Sequence, residues 1–292
     1  MSRGPLGRPG AAALVIAGLA CQEVGASVAV LLFPVTGPLG MVTLRLVFSA
    51  VLLLLLARPT LRGRSAESWR AVVAFGLVLA MMNGFFYLAL ERLPLGVTVT
   101  IEVLGPLVLS VLVARRLAAW LWAGLALVGV VLLAGGGWAD LDPLGVLFAL
   151  AAAACWAGYI LASARVGREF SHLDGLAIAM AIGAIVALPL GIGDAGAALL
   201  SPVTLGLGAA VAVLSSAIPY ALELTALRRL AASGFAVLMS LAPATATLAG
   251  WILLGQQLTL PELAGIALVI VASIGAVRAS ERAADAAAQP VG

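Results

Sequence analysis

Ten apolar segments, each about twenty residues long, constrain the fold more than any other feature of this sequence. A membrane-spanning helix needs about 20 apolar residues, whereas a strand of a membrane β-barrel needs about 9–11 residues of alternating hydrophobicity. The segments are long and do not alternate, so they predict an all-α integral membrane protein with ten transmembrane helices. The helices are expected at residues 11–33, 39–57, 71–90, 94–114, 117–137, 144–163, 175–193, 203–222, 233–254 and 261–277.

The composition excludes a soluble protein and offers no catalytic or metal centre. Of 292 residues, 63% are hydrophobic and 10% are charged, whereas soluble domains carry about 25% charged residues. The net charge of +3 comes from scattered arginines without an aromatic surface beside them, so no nucleic-acid partner is expected. The single histidine, His172, lies in a loop, and no ATP-binding or hydrolase motif is present. We therefore expect no cofactor, no metal ion and no enzymatic activity, with the lipid bilayer surrounding the protein.

The sixteen basic residues, all arginines, predict the orientation in the membrane. Loops rich in arginine stay in the cytoplasm. With the N-terminus inside, fourteen arginines lie on the cytoplasmic side, Arg92 lies on the other side and Arg45 lies within a span. Both termini, residues 1–10 and 278–292, are therefore expected to be cytoplasmic tails. The fourteen are Arg3, Arg8, Arg58, Arg62, Arg64, Arg70, Arg115, Arg116, Arg165, Arg168, Arg228, Arg229, Arg278 and Arg282.

The two halves of the chain repeat each other. Residues 89–93 match residues 226–230 at an offset of 137, and the same offset places Pro106 on Pro243. Each repeat holds five predicted helices, an odd number, so the two repeats have opposite orientations in the membrane. Inverted repeats around a site near the bilayer midplane are typical of secondary transporters. The two repeats cover residues 11–137 and 144–277.

Four ionisable residues are candidates for a site in the membrane: Glu23, Arg45 and Glu102 lie within predicted spans, and Glu223 lies at the cytoplasmic end of the eighth. A charged residue at the bilayer centre costs about 2.5–3.5 kcal/mol, so such residues face a cavity or a partner. Arg45 either pairs with Glu102 or holds a substrate carboxylate through two parallel hydrogen bonds. Glu223 lies near a helix end, where it either lines the site or pairs with a neighbouring arginine.

Glu102 is the deepest of these residues. Thr98, Glu102 and Pro106 follow one another at intervals of four, so they share one face of a helix. Pro106 has no backbone N–H, which frees the carbonyl of Glu102 and predicts a polar stripe at a kink. We expect Glu102 to carry a proton or to accept the amine of a substrate, or else to form a structural ion pair with Arg45.

Seven further polar residues complete the candidate site. Gln22 lies beside Glu23, and only one of the two can point fully inward. Trp156 and Tyr159 either cap a substrate or belong to the aromatic belt at the membrane interface. Ser240 either contributes to the site or allows close packing of helices. The seven are Gln22, Asn83, Tyr87, Trp156, Tyr159, Tyr220 and Ser240.

Segments between residues 14 and 277 carry a family resemblance. They are Leu32-Phe33-Pro34, Thr43-Leu44-Arg45-Leu46, Asn83-Gly84-Phe85-Phe86-Tyr87-Leu88-Ala89, Pro94-Leu95-Gly96-Val97, Glu102 through Gly105-Pro106-Leu107, Ala154-Cys155-Trp156-Ala157, Tyr159-Ile160-Leu161, Ser215-Ser216-Ala217-Ile218-Pro219-Tyr220, Glu223 and Leu238-Met239-Ser240-Leu241-Ala242-Pro243. Together they resemble the drug/metabolite transporter superfamily, specifically its EamA-type exporters of the threonine/homoserine branch.

The resemblance implies that each five-helix repeat is EamA-like and that the protein exports a small molecule. The implied substrates are threonine- or homoserine-like amino acids or related metabolites, moved across a bacterial inner membrane in exchange for protons. Two residues depart from the family pattern. Gln256 stands where the family often has a glutamate, so that acid cannot couple protons here, and Glu23 stands where a neutral polar residue is more usual.

Several alternatives remain open on the sequence. The chain could export a different metabolite or drug, act as a passive facilitator, or be an intramembrane enzyme acting on a lipid. Passive pores favour rings of like charge, which the scattered acids do not form. An enzyme needs a nucleophile and a base, and the predicted spans hold no convincing pair. Whether the protein forms a homodimer is also left open.

Overall fold

The computed structural model describes residues 8–114, 117–133, 141–170, 173–227 and 232–288, and the regular secondary structure among them is entirely helical. No β-strand occurs within these ranges, so the predicted all-α fold class is confirmed. The helices are α1 (Arg8–Ala57), α2 (Ala66–Leu90), α3 (Leu95–Glu102), α4 (Leu104–Ala114), α5 (Leu117–Leu133), α6 (Pro143–Glu169), α7 (Asp174–Ala195), α8 (Pro202–Ala212), α9 (Ile218–Leu227), α10 (Ala232–Met239), α11 (Ala242–Leu254) and α12 (Leu260–Ala288).

Seven helical segments within the described ranges are long and apolar enough to cross a membrane. The first of them has 48 residues, about twice the length that one crossing needs. Two further apolar helices are shorter, at Leu95–Leu109 and Trp120–Leu132. This pattern is that of a multi-pass membrane protein. The seven segments are Gly10–Ala57, Ala66–Leu90, Pro143–Glu169, Asp174–Leu200, Pro202–Glu223, Val237–Leu254 and Leu260–Ala279.

The long first helix is interrupted at Gly37. This residue has φ 63° and ψ 167°, a conformation that favours glycine, and Pro38 follows it. Near the end of α7, the Asp194 carboxylate accepts hydrogen bonds from the backbone N–H groups of Leu39 (2.8 Å) and Gly40 (3.3 Å). Asp194 therefore caps the second half of α1, whose first N–H groups have no partner within their own helix.

The interruption brings the two halves of α1 back against each other. Glu23 lies in the first half and Arg45 in the second, 22 residues later. In a straight helix their Cα atoms would be about 33 Å apart. Both residues instead line one cavity and interact electrostatically, so the chain folds back at Gly37.

Three other interruptions lie within the predicted spans. α3 ends at Glu102, one turn before Pro106, where the sequence predicted a kink. α10 ends at Met239, one turn before Pro243. Between α8 and α9, the segment Val213–Ala217 forms a wider π-helical turn. Interruptions of this kind expose backbone groups and recur at functional sites.

Two helices extend past their predicted ends. α6 continues to Glu169 instead of ending at 163, and Arg165 in this extension is held by an ion pair to α2. α12 continues to Ala288 instead of ending at 277, because its last turns are rich in alanine, arginine and glutamate, which favour helix. Apolarity marks the part of a helix inside the bilayer and does not mark its polar extension.

The α4 and α6 backbones approach closely at Gly105. A Cβ added at Gly105 would overlap the backbone carbonyl of Ala153 on α6. Gly105 follows the kink at Glu102, so the close approach holds this part of the chain against α6. Small residues allow such backbone contacts between helices in a membrane.

Replacing Gly105 by alanine is expected to destabilise the protein by about 1–3 kcal/mol, because the helices must separate to admit the methyl group. Thermal unfolding of the purified protein in detergent measures the effect. Gly124 on α5 is the matched control, since no described atom lies within 4 Å of a Cβ built there. Gly124→Ala is expected to be neutral or stabilising by about 0.5–1 kcal/mol, and equal losses in the two variants would contradict the close approach.

Ion pairs join α2 and α6 at both ends of these antiparallel helices. Glu67 in the first turn of α2 pairs with Arg165 near the end of α6 at 2.6 Å. Arg92, just after α2, pairs with Asp142, which precedes α6, at 2.9 Å. Asp142 also caps α6, because its carboxylate accepts from the backbone N–H groups of Leu144 (2.8 Å) and Gly145 (3.3 Å).

The pKa of Asp142 is held below its ordinary value of 3.8 by the hydrogen bond from Arg92 and by the two backbone N–H groups. A lowered pKa means that the carboxylate stabilises the fold above pH 3.8 and loses this contribution as the pH falls through its folded-state pKa.

Asp142→Ala is expected to lower the Tm at neutral pH by roughly 2–4 °C through the lost cap and ion pair. The deficit should shrink as the pH falls below 3.8, which thermal unfolding across pH would measure. Asp142→Asn should fall between the wild type and Asp142→Ala, since its amide oxygen still caps α6. A deficit that does not change with pH would contradict the role assigned to the carboxylate.

Candidate substrate site

A cavity of about 340 Å³ lies between helices from both halves of the chain. Its volume is at the lower end of the range for small-molecule sites, about 300–1,000 Å³. Many of the residues selected from the sequence line it. These are Gln22, Glu23, Arg45, Asn83, Glu102, Trp156, Tyr159 and Glu223.

Glu102 reaches the cavity from the end of α3, where the helix is interrupted. Its side chain is half-buried. Thr98, one turn earlier, is fully buried and donates its hydroxyl to the Pro94 carbonyl at 3.1 Å. Of the three residues in the polar stripe predicted on this helix, only Glu102 therefore lines the cavity.

Arg45 joins several groups of the cavity. Its guanidinium donates to the Tyr87 hydroxyl at 3.3 Å and to the Ser215 carbonyl at 3.4 Å, and it lies 5.7 Å from the centre of the Tyr87 ring. Its charge also interacts with the carboxyl groups of Glu23 and Glu102. The positive charge thus lies among two acids and an aromatic ring, and it contributes to the lining of the cavity.

Gln22 and Glu23 both line the cavity, although only one was expected to point fully inward. Glu23 is 2% exposed, whereas Gln22 is half-buried. Both halves of the interrupted α1 border the cavity. The Ser27 hydroxyl, one turn after Glu23, donates to the Glu23 backbone carbonyl at 2.9 Å and leaves the carboxyl group to the cavity.

Two predicted site residues do not line the cavity. Tyr87 is fully buried beneath Arg45, because its ring packs edge-on against Phe33 with the centroids 5.7 Å apart. Ser240 is buried at the interruption between α10 and α11, where Met239 takes the position at the cavity. The predicted contribution of the Tyr220 side chain lies outside the described residues, as does His172.

Several apolar and hydroxyl groups in the lining were not selected from the sequence. Two of them, Met82 and Phe86, lie on α2 beside the predicted residue Asn83, whose amide nitrogen donates to the Leu79 carbonyl at 2.8 Å. Repeat symmetry could have identified one of them, because the offset of 137 places Glu102 on Met239. The others look like ordinary core residues when read along the chain. The unselected group includes Met82, Phe86, Met180, Ser215, Ser216, Phe235 and Met239.

The chain is similar to transporters of known family. The model of the EamA-like transporter family matches residues 143–278. The threonine/homoserine exporter RhtA of Salmonella typhimurium is 39% identical over 253 residues, 86% of this chain and 85% of that protein. The chain belongs to the EamA-like transporter family. The threonine/homoserine exporter RhtA of Escherichia coli K12 is 37% identical over 264 residues, 90% of this chain and 89% of that protein.

A solved crystal structure of another protein supports the fold of this EamA-like transporter. It has a TM-score of 0.59 and 19% identity, and the match covers 92% of this chain and 98% of that one. The similarity at this level shows the fold alone. Family membership makes the protein a transporter and not an enzyme, and its cavity is the candidate for the site where the transported molecule binds.

Proposed function

We propose that this transporter exports small amino acids such as threonine or homoserine from the cytoplasm of a bacterium, in exchange for protons. The printed names of its relatives support the substrate class. The observation that carries the proposal is the cavity itself, in which an acid at a helix interruption and an arginine lie together. An amino acid offers an ammonium group and a carboxylate to these two kinds of side chain.

The proposed topology has ten spans, with both termini on the cytoplasmic side of the inner membrane. Two observations support the count. The first long segment is interrupted at Gly37 and provides two crossings, and the shorter apolar helices provide two more. The orientation rests on the arginine-rich loops, one of which lies before α2, where Arg64 pairs with Asp174 at 3.6 Å.

The proposed repeats are two inverted five-helix units, at residues 11–137 and 144–277. Their equivalent positions meet at the cavity. The offset of 137 that relates the repeats places Glu102 on Met239, the last residues of α3 and α10, and both line the cavity. Interrupted helices at matched positions of inverted repeats form the sites of many secondary transporters.

The proposed mechanism assigns a separate task to each charge. The Arg45 guanidinium binds the substrate carboxylate through paired hydrogen bonds. The Glu102 carboxylate accepts either the substrate ammonium group or a proton, and this competition couples the two movements. One repeat then rocks against the other and opens the cavity to the opposite side. Gln22, Asn83, Trp156, Tyr159 and Glu223 are proposed to shape the rest of the site.

Flux measurements in proteoliposomes test this proposal. The purified protein is reconstituted, and labelled homoserine is supplied with or without an imposed pH gradient. We expect homoserine to accumulate against its own gradient when the pH gradient is present. Equilibration without accumulation would indicate a passive facilitator. A lack of homoserine movement from folded protein would exclude the substrate class, and chemical alteration of the substrate would indicate an enzyme.

A further inference from the structure

Two buried polar atoms in the cavity lining lack a hydrogen-bond partner among the residues that the structure describes. They are Oε2 of Glu23 and Oγ of Ser215. Glu23 is 2% exposed and Ser215 is 4% exposed. Most buried side-chain polar atoms in proteins are hydrogen-bonded, and leaving one unpaired costs free energy. A ligand group that donates hydrogen bonds would satisfy both atoms, since a carboxylate and a hydroxyl oxygen can each accept.

The two unpaired atoms belong to one region of the cavity. Gly25, two residues after Glu23, packs so closely against the π-helical turn that an added Cβ would overlap the Ser215 hydroxyl. The Ser215 carbonyl accepts from Arg45, which places this turn beside the charged residues. Glu23 and Ser215 thus lie on two packed elements, and both neighbour Arg45 in the lining of the same cavity.

Within the π-helical turn, the hydroxyl of the neighbouring serine has a partner, whereas that of Ser215 does not. Ser216 is equally buried, yet its Oγ accepts from the Ser49 hydroxyl at 3.0 Å. Because Val213–Ala217 is a π-helical turn, two adjacent serines both face α1. Both serines line the cavity, and Ser216 is paired with Ser49 while the Ser215 hydroxyl is available to a ligand.

The acidic and basic groups of the cavity are unequal in number. Among the described lining residues, three carboxyl groups, those of Glu23, Glu102 and Glu223, accompany one guanidinium group, that of Arg45. A zwitterionic amino acid brings no net charge and leaves this excess unchanged. A ligand with an additional ammonium group would reduce it, and a charge in a site of low dielectric gains most from such pairing.

We propose that Glu23 and Ser215 form a subsite for a second cationic group, so that the cavity also accepts diamino acids. This inference rests on the proposed amino-acid export and deepens it. The α-amino acid part of the ligand binds Arg45 and Glu102. Its side-chain ammonium group donates hydrogen bonds to Oε2 of Glu23 and Oγ of Ser215. Ligands that lack this ammonium group leave both atoms unpaired.

Equilibrium binding to the purified full-length protein tests the subsite. Labelled lysine is compared with labelled norleucine, which has the same side chain without the terminal ammonium group. We expect lysine to bind the wild type about tenfold more tightly, as one charge-assisted hydrogen-bonding group warrants. In Glu23→Gln this preference should disappear, because the amide keeps the shape of the side chain and cannot pair with an ammonium group. Monodisperse elution in detergent and an unchanged Tm report that the variant is folded.

Two further variants complete the design. Glu91→Gln removes a carboxyl group from the exposed turn after α2 and should keep the full preference for lysine. Ser215→Ala should reduce the preference, and this variant tests the subsite on its own if Glu23→Gln does not fold. Equal affinities of the wild type for lysine and norleucine would overturn the subsite. A preference retained in Glu23→Gln would also overturn it and would indicate that the Glu23 carboxyl does not bind the ligand's ammonium group.

These binding measurements and the homoserine flux measurements together separate this inference from the proposed export. Homoserine transport without a preference for lysine would contradict the subsite and leave the export of small amino acids in place. A preference for lysine in a protein that does not transport homoserine would support the subsite and contradict the proposed export of homoserine-like amino acids.

Discussion

Glutamine in place of Glu102 is expected to lower homoserine export driven by a pH gradient by about 100-fold or more, the loss typical for a positioned proton-transferring group. Glutamine has nearly the shape of glutamate, so it fills the same volume at the end of α3. It cannot bind and release a proton, and its neutral amide cannot balance the Arg45 charge. Reconstituted flux with an imposed pH gradient measures the loss.

The expected loss must be separated from misfolding. Glu91→Gln makes the same chemical change on an exposed turn and is expected to leave export at the wild-type rate. Monodisperse elution in detergent and an unchanged Tm would show that Glu102→Gln is folded. Export at the wild-type rate in folded Glu102→Gln protein would remove Glu102 from the transport cycle.

Lysine in place of Arg45 is expected to raise the KM for homoserine by about 30-fold, which corresponds to losing about 2 kcal/mol of charge-assisted hydrogen bonding. The variant keeps the positive charge near Glu23 and Glu102, so the electrostatic balance among them is largely preserved. A lysine ammonium group cannot form the parallel pair of hydrogen bonds that a guanidinium makes to a carboxylate. Initial rates over a range of homoserine concentrations measure the change.

The matched control is Arg62→Lys, an exposed position in the loop before α2. It should leave both kcat and KM unchanged. If Arg45 acts only as a structural partner, Arg45→Lys should change the Tm and leave the KM for homoserine near the wild-type value. That result would contradict the substrate-binding role.

The sequence predicted the helices well because bilayer crossing requires a long apolar segment. Such a segment can be recognised from its residue types alone, without knowledge of tertiary contacts. Their interruptions were also visible where proline marks them, as at Pro106. The π-helical turn at Val213–Ala217 was not visible. Its extra residue shifts the helical phase by nearly one third of a turn, so a regular period misassigns the side chains that follow.

The charged members of the site were also accessible to sequence reasoning, since an ionisable residue within a span needs a cavity or a partner. Their mutual positions were not accessible. Glu23 and Arg45 meet because α1 folds back at Gly37, and the Asp194 cap that holds this bend comes from a residue 155 positions after Leu39. Tyr87 was predicted on the helix face that points towards the site, and its hydroxyl does contact Arg45. Packing nevertheless buries the side chain beneath Arg45, which a position along a helix does not reveal.

The apolar lining could not be distinguished from the protein core. Met180 and Phe86 have the composition of any packed helix, and only the tertiary arrangement leaves a cavity next to them. The role of Gln256 was likewise hidden. Its amide oxygen accepts from the Leu95 backbone N–H at 3.0 Å and caps α3, a structural task that needs no acid.

Proton movement driven by substrate tests the central claim, coupled exchange at Glu102, most directly. Proteoliposomes that hold a pH-sensitive dye are loaded with homoserine and diluted into medium without it, with no pH gradient imposed. We expect the interior to acidify as homoserine leaves, and we expect no acidification in Glu102→Gln. Homoserine efflux from wild-type proteoliposomes with a constant internal pH would contradict proton-coupled export.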